Sequence, residues 1–400
     1  MKRLHLHVAA TAIVAVISLA GCSAPAVDNV STAKTTVATP FSANPEPRIT
    51  ASMSVAEAKA FVKKATELTT DWSGPTEGEK AVKEKQTIAY VSADQSYVSY
   101  VNWGAGITDA AKVLGWTITT YDGKGTVSGT LAAMQQALVS NPTAIITTAD
   151  ASSLQAPISQ AVKLNIPVIG IHATAFPGPD PKLGLFDNIS TDPAQIGLAQ
   201  AAYVIANSDG KAKVAHMLDN SYAIARFKAK AAETPIKSLS SATFLEEINI
   251  PFSDMTARIP GAVSAMVSKY GADQFWVTTC CDGFYPYVSA ALSSSKVKTD
   301  AVKLVGADGS PAAYEMIRKG QYEVATVPEP STLFGYQAVD SIVRAMAGKK
   351  PAVFSQPAYL VTAANIDAEG GDKNQYIPSN GFACHYSNIW LGKNDTCTVC

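Results

Sequence analysis

Short apolar runs alternate with stretches of helical periodicity from residue 86 onward. The runs are rich in β-branched residues, which is typical of strands buried on both faces of a parallel sheet. The stretches between them are long enough for helices that connect neighbouring parallel strands. In this part of the chain the predicted strands are 87–92, 116–121, 144–148 and 166–171, and the predicted helices are 97–114, 126–138 and 152–164.

The same alternation restarts after residue 192. The predicted strands are 213–218, 243–250, 275–279, 302–307 and 322–327, and the predicted helices are 194–206, 222–238, 256–269, 284–293, 310–319 and 332–347. An open sheet rarely exceeds about ten strands, and the chain is long enough for two hydrophobic cores. The pattern therefore predicts an α/β protein with two lobes, each built on a doubly wound parallel sheet.

The first residues predict export. Met1-Lys2-Arg3 precedes an apolar segment, residues 8–20, that is too short to span a bilayer. The following Leu19-Ala-Gly-Cys22 resembles the lipobox of bacterial lipoproteins, in which the cysteine is acylated and becomes the mature N-terminus. We therefore predict a lipoprotein signal peptide over residues 1–22 with lipidation at Cys22; the alternative is an ordinary signal peptide.

Residues 23–53 are rich in Ala, Ser, Thr and Pro, and they predict a flexible tether because they offer little apolar surface to bury. Residues 54–85 predict an N-terminal helix and a turn-rich lead-in. The helix is indicated by Ser54 and Glu57, which have the spacing of a capping box.

The composition limits the kinds of partner that we expect for this protein. Charged residues make up 16% of the chain and the net charge is −1, which disfavours nucleic-acid binding. After the signal peptide, no segment has the roughly 18 consecutive apolar residues of a membrane span. His172, His216 and His385 are scattered, so no metal site is predicted, and no motif indicates a cofactor. We expect a monomer that touches the membrane only through its lipid.

Polar residues follow nearly every predicted strand, at the edge where open α/β sheets bind ligands. These strand-end segments are 94–97, 150–152, 172–174, 219–222, 280–282 and 308–310. Carboxylates and amides beside aromatic rings suit a neutral polyhydroxylated solute. Each Asp, Asn or Ser, taken singly, is also a usual helix N-cap.

Four segments carry a family resemblance: Thr87-Ile-Ala-Tyr-Val-Ser-Ala-Asp-Gln-Ser-Tyr-Val-Ser, Asn165-Ile-Pro-Val-Ile-Gly-Ile-His, Val305-Gly-Ala-Asp-Gly-Ser-Pro and Ala325-Thr-Val-Pro-Glu-Pro. They resemble type I periplasmic solute-binding proteins of the ribose-binding kind, the receptors of bacterial ABC importers. The resemblance runs in order from about residue 86 to residue 362. It concerns the fold and the transport class, and it does not specify the ligand.

The resemblance implies two lobes joined by three chain crossings, near Asp192, Glu329 and Leu360. Lobe one is then residues 86–192 plus 330–358. Lobe two is residues 193–329 plus 359–400, including a disulfide-pinned C-terminal tail.

The resemblance also implies a ligand site between the lobes, with Arg226 and Asp308 facing a shared cavity. Arg226 falls where the family has a ligand-binding arginine early in a lobe-two helix, and Asp308 matches the family's aspartate after a lobe-two strand. The candidate ligand-binding residues are Asp94, Gln95, Tyr97, Ser152, His172, Asp192, Tyr222, Arg226, Cys281, Asp282, Asp308 and Glu329.

Two positions depart from the family pattern. The Asp-Arg pair that grips sugar hydroxyls is replaced by His172-Ala173, so a bidentate clamp is lost. The usual Asn-Asp of lobe two is replaced by Cys281-Asp282. The site is therefore less polar than that of a hexose receptor. We expect a small neutral carbohydrate or polyol, with a less polar, aromatic-faced solute as the alternative.

The cysteines pose two questions. Cys280 and Cys281 are adjacent, and a vicinal disulfide between them is strained because neighbouring Cα atoms lie only about 3.8 Å apart. Either this strained ring or two reduced thiols fits the sequence. At the C-terminus we predict a disulfide between Cys384 and Cys397, with Cys400 as the alternative partner, in preference to a metal site.

The predicted function is capture of a solute by hinge closure and its delivery to an ABC permease at the outer face of the cytoplasmic membrane. A chemosensory receptor of the same fold, which signals to a sensor kinase, is the alternative. A hydrolase using His172 and Asp192 is disfavoured, because no nucleophile elbow, phosphate loop or metal motif is present. The export signal and the lack of a basic helix-turn-helix exclude a transcription regulator.

Overall fold

The computed structural model describes residues 52–271 and 274–398. The predicted signal peptide, Cys22, nearly all of the tether and Cys400 lie outside the described residues. Within the described residues the chain forms two α/β lobes, and the predicted fold class is confirmed.

Lobe one contains a five-stranded parallel sheet with the order β2-β1-β3-β4-β5. Its strands are β1 (Thr87–Ser92), β2 (Thr117–Asp122), β3 (Ala144–Thr147), β4 (Val168–Ile171) and β5 (Asp187–Ile189). Helices α2 (Val98–Val113), α3 (Val127–Val139) and α4 (Gln155–Lys163) cross between successive strands; α1 (Val55–Ala65) precedes the sheet. Every residue of β3 and β4 is buried, as a doubly covered parallel sheet requires.

Lobe two contains a six-stranded sheet with the order β11-β10-β9-β8-β6-β7. Its strands are β6 (Lys213–Leu218), β7 (Thr243–Asn249), β8 (Phe275–Thr279), β9 (Val302–Asp308), β10 (Glu323–Pro328) and β11 (Val361–Thr362). All of them run parallel except β11, which pairs antiparallel with β10. The helices are α5 (Pro193–Asn207), α6 (Ala223–Ser238), α7 (Met255–Tyr270), α8 (Tyr285–Ser294) and α9 (Pro311–Arg318).

The chain passes between the two sheets at three places. It leaves lobe one after β5, returns after β10, and re-enters lobe two before β11. The returning helix α10 (Ser331–Met346) packs on lobe one, and its buried residues join the core of that lobe. The carboxyl ends of the strands of both lobes therefore meet beside this hinge.

The C-terminal tail differs from the prediction. Only β11 and the turn up to Tyr376 pack on lobe two, whereas helix α11 (Phe382–Leu391) lies on lobe one. Tyr386 and Trp390 are buried there, and the Trp390 indole donates to Asp340 of α10 at 2.9 Å. Helix α11 therefore completes lobe one, because this lobe offers the helix an apolar surface and a buried hydrogen-bond acceptor, Asp340. The Cys384–Cys397 disulfide joins α11 to the segment that follows it.

The N-terminal segment and the tail are tied together beside the hinge. The α1 helix packs against α5 of lobe two, while Trp72 packs on lobe one. Between them, the Thr69 backbone N–H donates to one carboxylate oxygen of Glu369 at 2.7 Å. The other oxygen accepts from the Ser379 N–H at 3.1 Å. Two further chain crossings thus lie beside the three that the family resemblance implies.

Candidate functional site

A narrow cavity of about 40 Å³ lies where the strand ends of the two lobes meet. Lobe one and lobe two both line it, and the lining mixes aromatic rings with a few charged groups. The lining residues are Tyr97, Tyr100, Trp103, Thr148, His172, Tyr222, Ile224, Ala225, Lys228, Phe252, Cys280, Cys281 and Asp308. This composition is typical of small-molecule sites.

The lobe-one wall is one face of α2. Tyr97, Tyr100 and Trp103 follow one another at intervals of three residues, so their side chains lie above each other on the helix. Ring centroids are 5.1 Å apart for Tyr97 and Tyr100 and 5.3 Å apart for Tyr100 and Trp103. The rings of Trp103 and His172 pack edge to face, with their centroids 4.7 Å apart. The result is a continuous aromatic surface.

The lobe-two wall repeats this arrangement on α6. Tyr222, Ala225 and Lys228 are again spaced by three residues and line the cavity. Phe252, just after β7, packs against Tyr222 at 5.2 Å. It also stacks with Tyr97 of lobe one, with ring centroids 5.8 Å apart. The lobes are therefore in aromatic contact at the cavity.

A buried ionic network forms the polar part of the site. Lys228 Nζ lies 2.8 Å from an Asp308 carboxylate oxygen and 3.2 Å from a Glu329 oxygen. The other Glu329 oxygen lies 2.7 Å from His172 Nε2. The Lys228 side chain is 3% exposed and that of Glu329 is 1% exposed. One ammonium is thus shared by two carboxylates, and Glu329 connects lobe two to a lobe-one histidine.

The network sets the protonation of its members. Burial alone would raise the pKa of Glu329, but His172 and Lys228 outweigh it and lower that pKa to about 2. Burial raises the pKa of Asp308 above its usual value, although Lys228 opposes this. Burial favours loss of the Lys228 proton, yet Asp308 and Glu329 raise the pKa of Lys228 overall. Glu329 is therefore the firmly ionised carboxylate of the pair.

Two of the cavity residues have strained backbones. His172 has φ of 57° and Asp308 has φ of 79°, both in the left-handed region that L-residues seldom occupy. Such conformations cost free energy, and they are found where the surrounding structure fixes a functional side chain. Here each one directs a polar group into the network around Lys228.

Arg226 is a correction to the sequence prediction. Its side chain is exposed and its guanidinium donates to the Asn220 carbonyl oxygen on the surface. Arg226 stands two residues from Lys228, so the two point to opposite sides of α6. The charged group that faces the cavity from this helix is therefore Lys228, which the sequence analysis missed.

Asp94, Gln95 and Ser152 are also absent from the cavity lining. Asp94 accepts from the backbone N–H and the hydroxyl of Ser96, at 2.8 and 2.7 Å, and so fixes its own turn. The Gln95 N–H donates to Asp122 at 3.0 Å. The Ser152 hydroxyl and N–H both bind Asp150. These residues shape the strand-end loops, as the N-cap alternative implied.

Asp192 and Asp282 have structural contacts as well. The Asp192 side chain accepts from the Ala194 N–H at 3.0 Å and caps α5. His172 Nε2 lies beside Glu329. Asp282 accepts from the N–H groups of Gly309 and Ser310 and supports the loop that carries Asp308.

The remaining predicted residues come together: Tyr97, His172, Tyr222, Cys281 and Asp308 line the cavity and Glu329 lies behind it. Besides Lys228, the sequence analysis missed Tyr100, Trp103, Thr148 and Phe252. The intervals of three residues from Tyr97 and from Tyr222 were the signal that could have found Tyr100, Trp103 and Lys228.

Cys280 and Cys281 are both free thiols in the cavity wall, with sulfur atoms 3.9 Å apart. Burial, followed by the neighbouring Cys280, raises the pKa of the Cys281 thiol. Of the two alternatives that the sequence left open, the structure has the reduced pair.

Within residues 52–271 and 274–398, no helix combines the length and apolarity needed to cross a bilayer. The same residues contain no cluster of three His, Cys, Asp or Glu side chains arranged to hold a metal ion.

Solved structures show where else this architecture occurs. An ABC transporter solute-binding protein from Agrobacterium vitis, bound with α-D-tagatopyranose, superposes with a TM-score of 0.64 at 16% identity, covering 73% of this chain and 99% of that chain. The periplasmic component of the arabinose ABC transporter from Shewanella sp. ANA-3, bound to L-arabinofuranose, gives 0.62 at 16%, covering 72% and 95%. The Caulobacter myo-inositol binding protein, bound to myo-inositol, gives 0.61 at 17%, covering 72% and 96%.

No curated protein is similar enough in sequence to count as a relative of this chain. A family model does match: residues 88–350, more than half of the chain, match the periplasmic binding protein domain. The match covers both sheets except β11, and it includes every residue that lines the cavity. The chain therefore belongs to the periplasmic binding protein domain family.

Proposed function

We propose that this protein is an extracytoplasmic receptor that captures a small carbohydrate or polyol by lobe closure and delivers it to an ABC permease. The observation that carries the proposal is the cavity at the hinge, where aromatic faces from both lobes surround a buried network of carboxylates, ammonium and imidazole. The family match supports the receptor class. The tagatose-, arabinose- and inositol-bound structures support the chemical class of solute.

The lining offers what a polyol requires. Ring faces of Tyr97 and Phe252 can cover the C–H surface of a solute, while Asp308 and Lys228 offer an acceptor and a donor to its hydroxyls. Neither Glu329 oxygen nor the His172 Nε2 makes a hydrogen bond of good geometry among the described residues, although a Glu329 oxygen and the Nε2 lie 2.7 Å apart. A solute hydroxyl that reaches them would satisfy buried polar atoms, which favours its binding.

Closure follows from the position of the site. Tyr97 belongs to lobe one and Phe252 to lobe two, and both line the cavity, so a solute in the cavity contacts both lobes only when these are closed. A solute that binds the closed state better shifts the population toward it. The closed state is then the form that a permease recognises. A sensor kinase as the recipient remains the alternative.

A less polar solute is the second candidate. Five aromatic side chains line the cavity, and its charged groups already pair with one another. An aromatic-faced solute would use these rings and leave the ionic network intact. We also propose that Cys22 is lipidated and anchors the receptor at the outer face of the cytoplasmic membrane, because residues 19–22 have the lipobox pattern.

The test is a thermal-shift screen of the purified protein, followed by calorimetry. The panel contains pentoses, hexoses, polyols and small aromatic compounds. We expect one carbohydrate or polyol to raise the melting temperature and to bind with a one-to-one stoichiometry. A response confined to aromatic compounds would favour the second candidate, and no response across the carbohydrates would contradict the proposal. Turnover of a bound compound would contradict the assignment as a receptor without catalytic activity.

A further inference from the structure

Two neighbouring thiols lie in the wall of the solute cavity. Cys280 and Cys281 directly follow β8, each is only 3% exposed, and their sulfur atoms are 3.9 Å apart. The other two cysteines of the described residues, Cys384 and Cys397, are joined in a disulfide. Cys280 and Cys281 are therefore two oxidisable thiols in the site, and the capture of a polyol does not use them.

We propose that Cys280 and Cys281 form a redox modification site, at which closure to a vicinal disulfide changes the solute cavity. The consequence for solute binding rests on the proposed function. Formation of the ring does not, since it requires only the two thiols and an oxidant.

The oxidant we name is a low-molecular-weight disulfide. The thiolate of one cysteine attacks a sulfur of this disulfide, which forms a mixed disulfide and releases one small thiolate. The thiolate of the second cysteine then attacks the protein sulfur of the mixed disulfide and releases the other small thiolate. The cysteine pair loses two protons and two electrons, and the small disulfide is reduced to two thiols. A dithiol reductant reverses both steps.

Ring closure has to move the backbone at these residues. The sulfur atoms must approach from 3.9 Å to about 2.05 Å. Adjacent Cα atoms are about 3.8 Å apart across a trans peptide, below the range of roughly 4.4–6.8 Å in ordinary disulfides. The peptide between Cys280 and Cys281 must therefore adjust.

This peptide is connected to the ionic network. The Cys280 carbonyl oxygen accepts from Lys228 Nζ at 3.3 Å, and the same Nζ donates to Asp308 at 2.8 Å. A rotation of the Cys280 carbonyl changes the set of acceptors around a fully buried ammonium. Oxidation is thus expected to affect the charged part of the cavity as well as its surface.

Contact between the closed lobes shields Cys280 and Cys281 from an oxidant. Tyr97 of lobe one packs against Gly283, two residues after Cys281, at a distance that leaves no room for a side chain there. Burial also keeps the Cys281 thiol protonated in this state, because it raises its pKa, and a thiol is a poor nucleophile. We therefore expect oxidation to proceed through the open state and a bound solute to slow it.

The experiment exposes the reduced full-length protein to hydroxyethyl disulfide, alkylates remaining thiols with N-ethylmaleimide in denaturant, and maps peptides by mass. We expect the peptide with Cys280 and Cys281 to lose two hydrogen atoms, to carry no maleimide, and to regain two reactive thiols after dithiothreitol. The Cys281→Ser variant should instead retain a mixed disulfide at Cys280. Two alkylated thiols in the treated wild type, or a persistent mixed disulfide there, would overturn the proposal.

A second measurement tests the effect on the cavity without a known solute. The oxidised protein should melt at a temperature several degrees from that of the reduced protein, while a Cys280→Ala/Cys281→Ala variant given the same treatment should not change. Equal melting of the oxidised and reduced forms would overturn the link to the cavity.

Once a carbohydrate has been found in the screen, we expect its affinity to differ at least tenfold between the two forms, and equal affinities would also overturn that link. Ring formation with no carbohydrate bound in either form would contradict the proposed function and leave the modification site standing.

Discussion

Replacement of Lys228 by methionine tests whether one ammonium holds the charged part of the site together. Its Nζ lies 2.8 Å from Asp308 and 3.2 Å from Glu329, and all three side chains are nearly inaccessible. Methionine has a similar length and no charge, so the variant keeps most of the packing. The two carboxylates then remain buried without their shared cation.

The expected loss of stability is large. Removal of one partner of a buried ion pair costs about 3–5 kcal/mol, because the other charge stays in a poorly solvated position. In a folding unit of about 150–250 residues, each kcal/mol lowers the melting temperature by roughly 2–4 °C. We therefore expect Lys228→Met to melt roughly 6–20 °C below the wild type at neutral pH.

The loss of stability in Lys228→Met should increase as the pH rises. Without Lys228, burial raises the folded-state pKa of Asp308 further above its unfolded value of about 4, whereas His172 still lowers the pKa of Glu329. The folded variant then binds protons that the unfolded chain has released. This contribution to stability is complete below about pH 4 and is lost as the pH rises. The deficit relative to the wild type should therefore be greater at pH 8 than at pH 5.

Calorimetry at the two pH values measures both effects. Lys230→Met is the matched control, because it lies on the same helix and its side chain is 59% exposed beside Glu233. Exposed ion pairs contribute at most about 1 kcal/mol, so the control should melt within a few degrees of the wild type. If Lys228→Met melts like this control, or if its deficit is the same at both pH values, the reasoning about the buried network is wrong.

Three further predictions concern single positions. Gly283→Ala places a Cβ 2.9 Å from the Tyr97 hydroxyl. The variant should therefore bind the carbohydrate found in the screen more weakly, while the solute-free protein melts normally. Unchanged affinity in calorimetry would contradict this. Burial, followed by Asp308, raises the pKa of Asp282 to about 7, so its contribution to stability is lost as the pH rises from about 4 through 7. In Asp282→Asn the melting temperature should therefore fall less over this interval, and parallel curves for variant and wild type would refute the assignment. Cys22→Ala should release the protein from the membrane fraction; retention of the variant there would argue against a lipid anchor at this residue.

The sheets could be predicted from the sequence because their signals are local. Apolar runs such as that of β1 are interrupted by helical periods, and every residue of β3 and β4 is buried. The three-residue strand β5, Asp-Asn-Ile, was missed, since two of its residues are polar and it is too short to show a period. The placement of α11 was wrong, because an amphipathic pattern shows that a helix has a buried face and not which lobe buries it.

The candidate site was harder to predict because a strand-end polar residue can serve the loop or the solute. Asp94 and Ser152 were proposed as ligand contacts, yet their side chains bind Ser96 and Asp150 within their own loops. Cap and ligand chemistries use the same atoms, so composition does not separate them. Lys228 was missed for a different reason: the family resemblance implies an arginine contact at Arg226, whereas the spacing of three residues from Tyr222 through Ala225 places Lys228 on the cavity side of the helix.

An internal repeat explains how the two lobes build one cavity. Residues 94–97 and 219–222 both read Asp-x-Ser-Tyr, and each follows the first strand of its lobe. In each loop the aspartate accepts from the N–H and the hydroxyl of the serine two residues later. In each loop the tyrosine then stands at the N-cap position of the next helix and lines the cavity. Because both sheets also share the strand order 2-1-3-4-5 in their own numbering, the same turn presents its tyrosine from opposite sides. The Asp and Ser of the repeat are thus the scaffold and the Tyr is the contact. From each Tyr the cavity lining continues along the helix at intervals of three residues, through Tyr100 and Trp103 in lobe one and through Ala225 and Lys228 in lobe two.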